Sequence, residues 1–299
     1  MRTMTSFQFP WMVHQFSRFW QQPETNLPPS WSLSGRMAFI TDRSGQDEGW
    51  LRDAQGDWER PIVTQTDFPD DPTLGIYNAA ISPDGGRVAY GRAASKSLGA
   101  LWISPATGGR PASVPVSGSP QANGFSWSPD GNSLAVLGAG GQLALVKIGS
   151  DRGPNFLGTA CSTAPAWSPD GRWIACGVPS ESAILLISPD GKESRKLPSP
   201  VRTSATNFVM VWSRDSSTIY IASSLSDRAR LDAIDVRTSA TRKIADLGPG
   251  ITFEVDRSYC LSGSLAPDEK SFATTVAKTT SDIWILDGFA PTKRGWFGR

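Results

Sequence analysis

Net charge is the first thing this chain lacks: Lys and Arg number 29, Asp and Glu number 28, and the formal charge at pH 7 is +1. So even a balance gives no electrostatic ground for nucleic acid, an anionic membrane or a strongly acidic partner. Histidine is nearly absent. His14 is the only one, and a hydrolytic serine or cysteine needs a base beside it, usually His. The nucleophile-elbow pattern GxSxG is missing as well, because the only glycine pairs four apart, Gly45/Gly49 and Gly149/Gly153, enclose Asp47 and Asp151. GxGxxG, HRD and DFG are absent too, so kinase chemistry has no foothold in these residues. Cysteine is scarce: Cys161, Cys176 and Cys260 form an odd set without CxxC spacing, which signals neither a zinc site nor a disulfide framework and reads as three small core residues. No run approaches the roughly 18 apolar residues of a membrane-spanning helix. Near the N-terminus, Gln8, Pro10 and His14 interrupt any signal-peptide core. The expectation is therefore a cytoplasmic protein, or a periplasmic one if the chain is a piece of something longer.

What the chain does have is turns and aromatic residues. Gly numbers 29, Pro 23 and Trp 12, a composition of many short strands with little helix. One phrase repeats along it. AWSPDGRWIAC at 166–176 returns as FSWSPDGNSLAV at 125–136 and AAISPDGGRVAY at 79–90. Weaker copies are VMVWSRDSSTIYI (209–221), SGSLAPDEKSFAT (262–274) and PSWSLSGRMAFI (29–40). Aligned on the Asp position, the anchors are Ser34, Asp84, Asp130, Asp170, Asp215 and Asp268, at a period of roughly 40 to 53 residues.

Each copy has a physical grammar. A large apolar residue (Trp31, Ile81, Trp127, Trp167, Trp212, Leu265) ends one strand. Pro then presets φ, Asp bonds back to the turn, and Gly accepts the positive φ that reverses the chain. The second strand is apolar on both faces around a central Ala38, Ala89, Ala135, Ala175 or Ala273, with Tyr220 in the remaining copy. Such a strand belongs in a sheet covered on both sides. Third strands follow at 101–104, 183–187, 231–235 and 282–286, and fourth strands at 194–197 and 241–245. Strands in fours at this period predict an all-β fold: a six-bladed β-propeller of four-stranded antiparallel blades, one domain over 1–299 with blades starting near 29, 77, 123, 163, 207 and 260 and with tails at 1–11 and 289–299. The last unit runs short of a fourth strand, so the ring is expected to close through an N-terminal strand, about 12–18, pairing with 282–287. His14 would be an ordinary residue of that strand.

With its SPDG phrases and strands ending in DIW or LLIS, the chain resembles the TolB-like, WD-type propeller repeats of bacterial proteins from about 12 to 288. Its closing stretch SLAPDEKSFATTVAKTTSDIWILDGF and its QDEGWLRDAQGDWERPIVT at 46–64 look like the C-terminal propeller region of bacterial serine/threonine kinase-type sensor proteins. The resemblance implies a fold and a scaffold role, and no catalytic residues travel with the repeat.

The anchors Asp84, Asp130, Asp170, Asp215 and Asp268 invite thoughts of calcium. A calcium site, however, needs about 6 to 8 oxygens converging on one point, and these residues fall on separate blades, so each reads as a structural turn acceptor. The Trp residues read as packing between blades, with Trp167 a plug, rather than as platforms for stacked bases. Binding is expected on the face where the sequence stops repeating, around the mouth of the central channel. The candidates there are Asp67, Asp70, Asp71, Tyr77, Arg228, Arg230, Phe253, Glu254, Asp256, Arg257 and Tyr259, a mixture of both charge signs and aromatics that suits a peptide or protein segment. The resulting expectation is a monomeric, non-enzymatic binding or scaffold module for protein or peptide partners, with no metal or cofactor. The alternatives are a small-ligand binder and a hydrolase or lyase with carboxylates in the channel.

Overall fold

A computed structural model of the chain describes residues 2–8, 16–18, 26–71, 73–94, 99–114, 124–202, 208–225, 228–249, 251–253, 263–269 and 271–278. The strongest copies of the repeated phrase share one local bonding pattern. At 128–133, Ser128 Oγ donates to Asp130 Oδ1 at 2.5 Å, the Asn132 N–H donates to the same oxygen at 3.0 Å, and the Ser133 N–H donates to Ser128 Oγ at 2.9 Å. The same three bonds recur around Asp84, Asp170 and Asp215. In blade 1 Ser34 stands in for Asp, its hydroxyl 3.0 Å from that of Ser32, which accepts the Arg36 N–H. The residue after the anchor holds positive φ in every copy, whether Gly, as at Gly131 and Gly171, or Ser216 (60°) and Glu269 (57°). The divergent copies thus keep the turn although a side chain there is strained. A seventh copy, Ser188 to Gly191, makes the outer hairpin of blade 4 with the same Ser–Asp bonding. The repeat reading passed over it because it falls between anchors.

These turns build five four-stranded antiparallel blades. Blade 1 comprises Asn26–Trp31, Met37–Thr41, Glu48–Arg52 and Glu59–Val63. Blade 2 comprises Thr73–Ile81, Arg87–Ala94, Ala100–Pro105 and Ala112–Val114. Blade 3 comprises Gly124–Trp127, Ser133–Leu137, Gln142–Lys147 and Asn155–Ala160. Blade 4 comprises Ala166–Trp167, Ile174–Gly177, Ala183–Ile187 and Ser194–Pro198. Blade 5 comprises Phe208–Trp212, Thr218–Leu225, Arg228–Asp235 and Thr241–Pro249.

Five blades stand where six were expected. The sixth unit contributes Gly263–Leu265 and Ser271–Lys278, and these join Ile251–Phe253, Arg2–Gln8 and Phe16–Arg18 in a composite five-stranded sheet. The closure expected between 12–18 and 282–287 is not shown. Residues 12–15, His14 among them, and 282–287 lie outside the described residues, and Phe16–Arg18 pairs with Thr5–Phe7. Along the edge of Ser271–Lys278, where the repeat would place its own third strand, Arg2–Gln8 runs antiparallel from Arg2↔Ala277 to Gln8↔Ser271. An open edge offers a row of N–H and C=O groups that any strand of matching length can take up, so the repeat grammar alone could not name its partner.

Burial between blades explains the doubly apolar second strands. Ala38 and Ile40 pack toward blade 2 with Ile76, Ile81 and Val88, while Met37 and Phe39 form a separate cluster with Trp31 and Trp50. The seam between blades 4 and 5 buries Trp173, Leu186, Met210, Trp212, Ile219 and Ile234. Trp127 and Trp212 are buried, and each indole N–H donates at 2.9 Å to a backbone oxygen of the preceding blade, Ala80 O and Ala166 O respectively. Trp167, expected as a plug, is only half-buried and donates to Gly171 O in its own turn at 3.3 Å.

Candidate functional site

The innermost strands enclose a central cavity of about 280 Å³. Its wall is built by the first strand of each unit, and the composite sheet supplies Gly263, Ser264 and Leu265. Four tryptophans line it, Trp31, Trp127, Trp167 and Trp212, together with small and hydroxyl residues such as Ser30, Ser126, Thr163 and Ala164. Among the described residues this wall carries no ionisable side chain. The carboxylate-lined channel required by an acid–base enzyme is therefore not formed by these residues.

The wall is stitched by an alternating device. Where the residue before the terminal apolar one is Ser, the next unit donates a backbone N–H to its hydroxyl: Ile81 to Ser30 at 3.2 Å, Trp167 to Ser126 at 3.0 Å and Trp31 to Ser264 at 3.0 Å. Where it is Ala, at Ala80 and Ala166, the next blade's tryptophan donates to the Ala carbonyl instead. The Trp31–Ser264 bond joins blade 1 to the composite sheet, and the Arg214 N–H of blade 5 donates to Glu269 on that sheet's turn. The signal was present in the sequence as PSW, FSW and GSL against AAI and PAW, but it becomes meaningful only once the strands are known to be neighbours around a ring.

A disulfide close in sequence to the lining residues Thr163 and Ala164 corrects the cysteine reading. Cys161 and Cys176 are buried and bonded, with Cα atoms 5.7 Å apart. The bond ties the connection between blades 3 and 4 to the second strand of blade 4. Next to it, Thr163 Oγ1 accepts the Gly177 N–H at 2.9 Å, which fixes the segment Thr163 to Ala166 in the cavity wall. Gly141 sits against this connection with φ 79°, and a Cβ there would lie 2.5 Å from Cys161 O, so only glycine fits. A spacing of 15 residues without a CxxC gave no hint of the pairing. Cys260 lies outside the described residues.

Several of the residues expected to bind have local partners among the described residues. Asp67 accepts the Thr64 N–H at 2.7 Å and caps the short turn Gln65–Asp67. Asp71 faces Arg92, whose guanidinium is buried, lies 3.3 Å from Asp71 Oδ2, also bonds the Asp71 carbonyl, and stacks 3.9 Å over Phe68. Tyr77 packs with the blade 1–2 core, its ring over Gly91, where any Cβ would collide with it. Arg228 pairs with Asp246 at 3.1 Å. Arg230 forms a two-pronged pair with Asp232, which is fully buried and reinforces the guanidinium's charge. Asp70 is exposed. Phe253 lies in the composite sheet, opposite Val276, while Glu254, Asp256, Arg257 and Tyr259 lie outside the described residues. The structure thus places the described candidates in three separate places: just before and on blade 2, on blade 5, and in the composite sheet.

The turn anchors behave as structural acceptors. In Asp84, Asp130, Asp190 and Asp215 the preceding serine hydroxyl, followed by a backbone N–H, holds the carboxyl below the ordinary aspartate range. Among the described residues no group of three or more His, Cys, Asp or Glu is placed to hold a metal ion, and no helix is long and apolar enough to cross a membrane.

No protein family matches the sequence, and no curated protein shows significant similarity to it. Among solved structures, the chain is similar to the protein assigned as TolB in Agrobacterium tumefaciens, at 20% identity over 92% of this chain and 98% of that one, with a TM-score of 0.68. It is similar to TolB of Acinetobacter baumannii at 12% identity over 93% of this chain and 64% of that one, with a TM-score of 0.58. An oligogalacturonate lyase solved with manganese aligns at 14% identity over 93% and 91% of the two chains, with a TM-score of 0.51. Likeness at these identities shows the fold alone: the chain has a TolB-like β-propeller fold. One of these neighbours is an enzyme by name, so the shared fold does not choose between binding and catalysis.

Proposed function

We propose that this propeller is a non-enzymatic binding or scaffold module for a protein or peptide partner, with the central channel as its principal site. The observation that carries this reading is the channel wall: an uncharged lining of tryptophans, hydroxyls and small residues, without an acid, a base or an activated nucleophile among the described residues. Such a wall suits an uncharged, partly aromatic peptide segment, with serine and threonine hydroxyls fixing its backbone. The buried Cys161–Cys176 disulfide favours work in an oxidising compartment. The link to a kinase-type sensor rests on the sequence resemblance of the blade 1 and closing stretches, and it is tested by whether the native coding sequence encodes a kinase upstream.

A peptide-library selection against the propeller tests the channel. The selected peptides should bind wild type and lose at least about tenfold in affinity for Ala164→Trp, which fills the wall, while the melting temperature of that variant shows it folded. Undiminished binding to Ala164→Trp contradicts the channel assignment. Selection of no peptide, together with a thermal shift produced by sugars, favours the small-ligand alternative, and turnover of any bound peptide contradicts the non-enzymatic reading.

A further inference from the structure

The face carrying the repeated turns holds a second concavity, larger than the channel. It is a groove of about 760 Å³ at the seam between blades 4 and 5, within the size range of ligand sites. Both hairpin turns of each blade border it, and Trp173 and Val236 lie among its lining. Four cations line it, Arg172, Lys192, Arg195 and Arg237, against two carboxylates, Asp170 and Glu193. We propose that this groove binds an acidic peptide segment of a protein partner, independently of the channel.

The carboxylates do little to neutralise these cations. Asp170 Oδ1 already accepts the Ser168 hydroxyl at 2.6 Å and the Arg172 N–H at 3.0 Å within its own turn. Glu193 reaches Arg172 only at 4.0 Å, with both side chains about two-thirds exposed, a geometry that contributes little in water. Lys192 leans toward Asp190 at 3.4 Å while 82% exposed. Arg195 makes no ion pair among the described residues, while Arg237 lies near Asp235, whose carboxyl Thr238 chiefly, and Arg237 in smaller part, hold below the ordinary aspartate range.

The seam between blades 1 and 2 commits its equivalent arginine more fully. In blade 1, Arg60 occupies the same place in the outer strand and commits two nitrogens to the Thr107 and Ala106 carbonyls of blade 2. Arg195 commits one, to Val236 O at 2.5 Å, and its buried Nε has no partner. Arg172 and Arg195 both lie over Trp173, 5.4 and 5.7 Å from its ring centre. Two guanidiniums sharing one indole repel each other, and an incoming carboxylate relieves that repulsion while accepting the forked N–H donors that arginine presents. An open groove with an indole and an aliphatic side chain beside its cations fits a peptide bearing several Asp or Glu residues better than a single small anion.

The test is fluorescence anisotropy with a fluorescein-labelled hexaglutamate peptide at low salt. Wild type should bind it, and the affinity should fall steeply as salt rises to about 0.5 M. Lys192→Glu/Arg237→Glu, both exposed positions, should weaken binding at least about tenfold with an unchanged melting temperature. A charge-matched control at exposed positions off the groove, Arg110→Glu/Lys147→Glu, should bind within about twofold of wild type, and so should Ala164→Trp. Equal losses in the two charge-reversal pairs would reduce the effect to general electrostatics and overturn the proposal. Loss in Ala164→Trp alone would assign the peptide to the channel. Binding of polyphosphate but not of hexaglutamate would overturn the peptide assignment.

Discussion

The two faces of the propeller solve the same problem, how to end a strand, by different means. On the face of repeated turns the anchor Asp, its Ser and the N–H groups that follow are bonded within two to five residues of one another, and a few longer bonds, such as the Asp170 N–H to Ser216 Oγ at 3.0 Å, tie neighbouring turns together. On the opposite face the connections are irregular, and two of their charge pairs reach across longer spans, Asp71 with Arg92 and Arg228 with Asp246, while Arg230 pairs with Asp232 two positions further along its own strand. At the seam of blades 4 and 5 the uniform face gathers Arg172, Lys192, Arg195 and Arg237, with the Arg172 and Lys192 ion pairs exposed to water. Irregular sequence and clustered cations are thus separate properties, and among the described residues they lie on different faces.

The sharpest way to break this contrast is at Asp71. Asp71→Ala would leave the buried Arg92 without its carboxylate, which should cost about 3 kcal/mol in urea unfolding. A loss below about 1 kcal/mol would return Asp71 to the pool of binding residues. The paired change Cys161→Ser/Cys176→Ser opens a 15-residue loop beside the channel and should cost about 3 kcal/mol or slightly less. It should also weaken any channel-bound peptide, because Thr163 to Ala166 lose their anchor. On the uniform face, Asp130→Ala removes only local bonds and should cost about 1 kcal/mol by the same assay.

The pH response follows from the same turns. The carboxyls of Asp84, Asp130, Asp190 and Asp215 are held below their ordinary value of 3.8. Their stabilisation is therefore complete above about pH 4 and lost as pH falls through the lower folded values. Urea midpoints measured between about pH 5 and 2 should decline, less steeply in Asp130→Ala. The smallest effect is expected at the exposed Arg228–Asp246 pair, where Arg228→Ala should change stability by less than about 0.5 kcal/mol.

Much of the fold was legible because its grammar is local. Ser, Asp and the positive-φ residue declare each turn within four positions, and a second strand apolar on both faces declares its neighbours. What was not legible depends on contacts between distant positions. The composite sheet rests on a pairing between residues 2–8 and 271–278, which no spacing announces. The disulfide joins residues whose approach is fixed only once the connection between blades 3 and 4 has folded back over the second strand of blade 4. Among the candidate site residues, Asp71 and Arg228 have partners, Arg92 and Asp246, that only the folded strands bring to them. The basic groove was hidden for a related reason: Arg172, Lys192, Arg195 and Arg237 come from two hairpin turns of blade 4 and one of blade 5, inside the most repetitive text of the chain.

The central claim, that this is a binding propeller with its principal site in the channel, is tested most directly by hydrogen–deuterium exchange of the whole chain with and without a library-selected peptide. Amides of Thr163 to Trp167 and of the other innermost strands should become protected, and the peptide should be recovered intact. Protection confined to outer strands, or recovery of cleaved peptide, would contradict it.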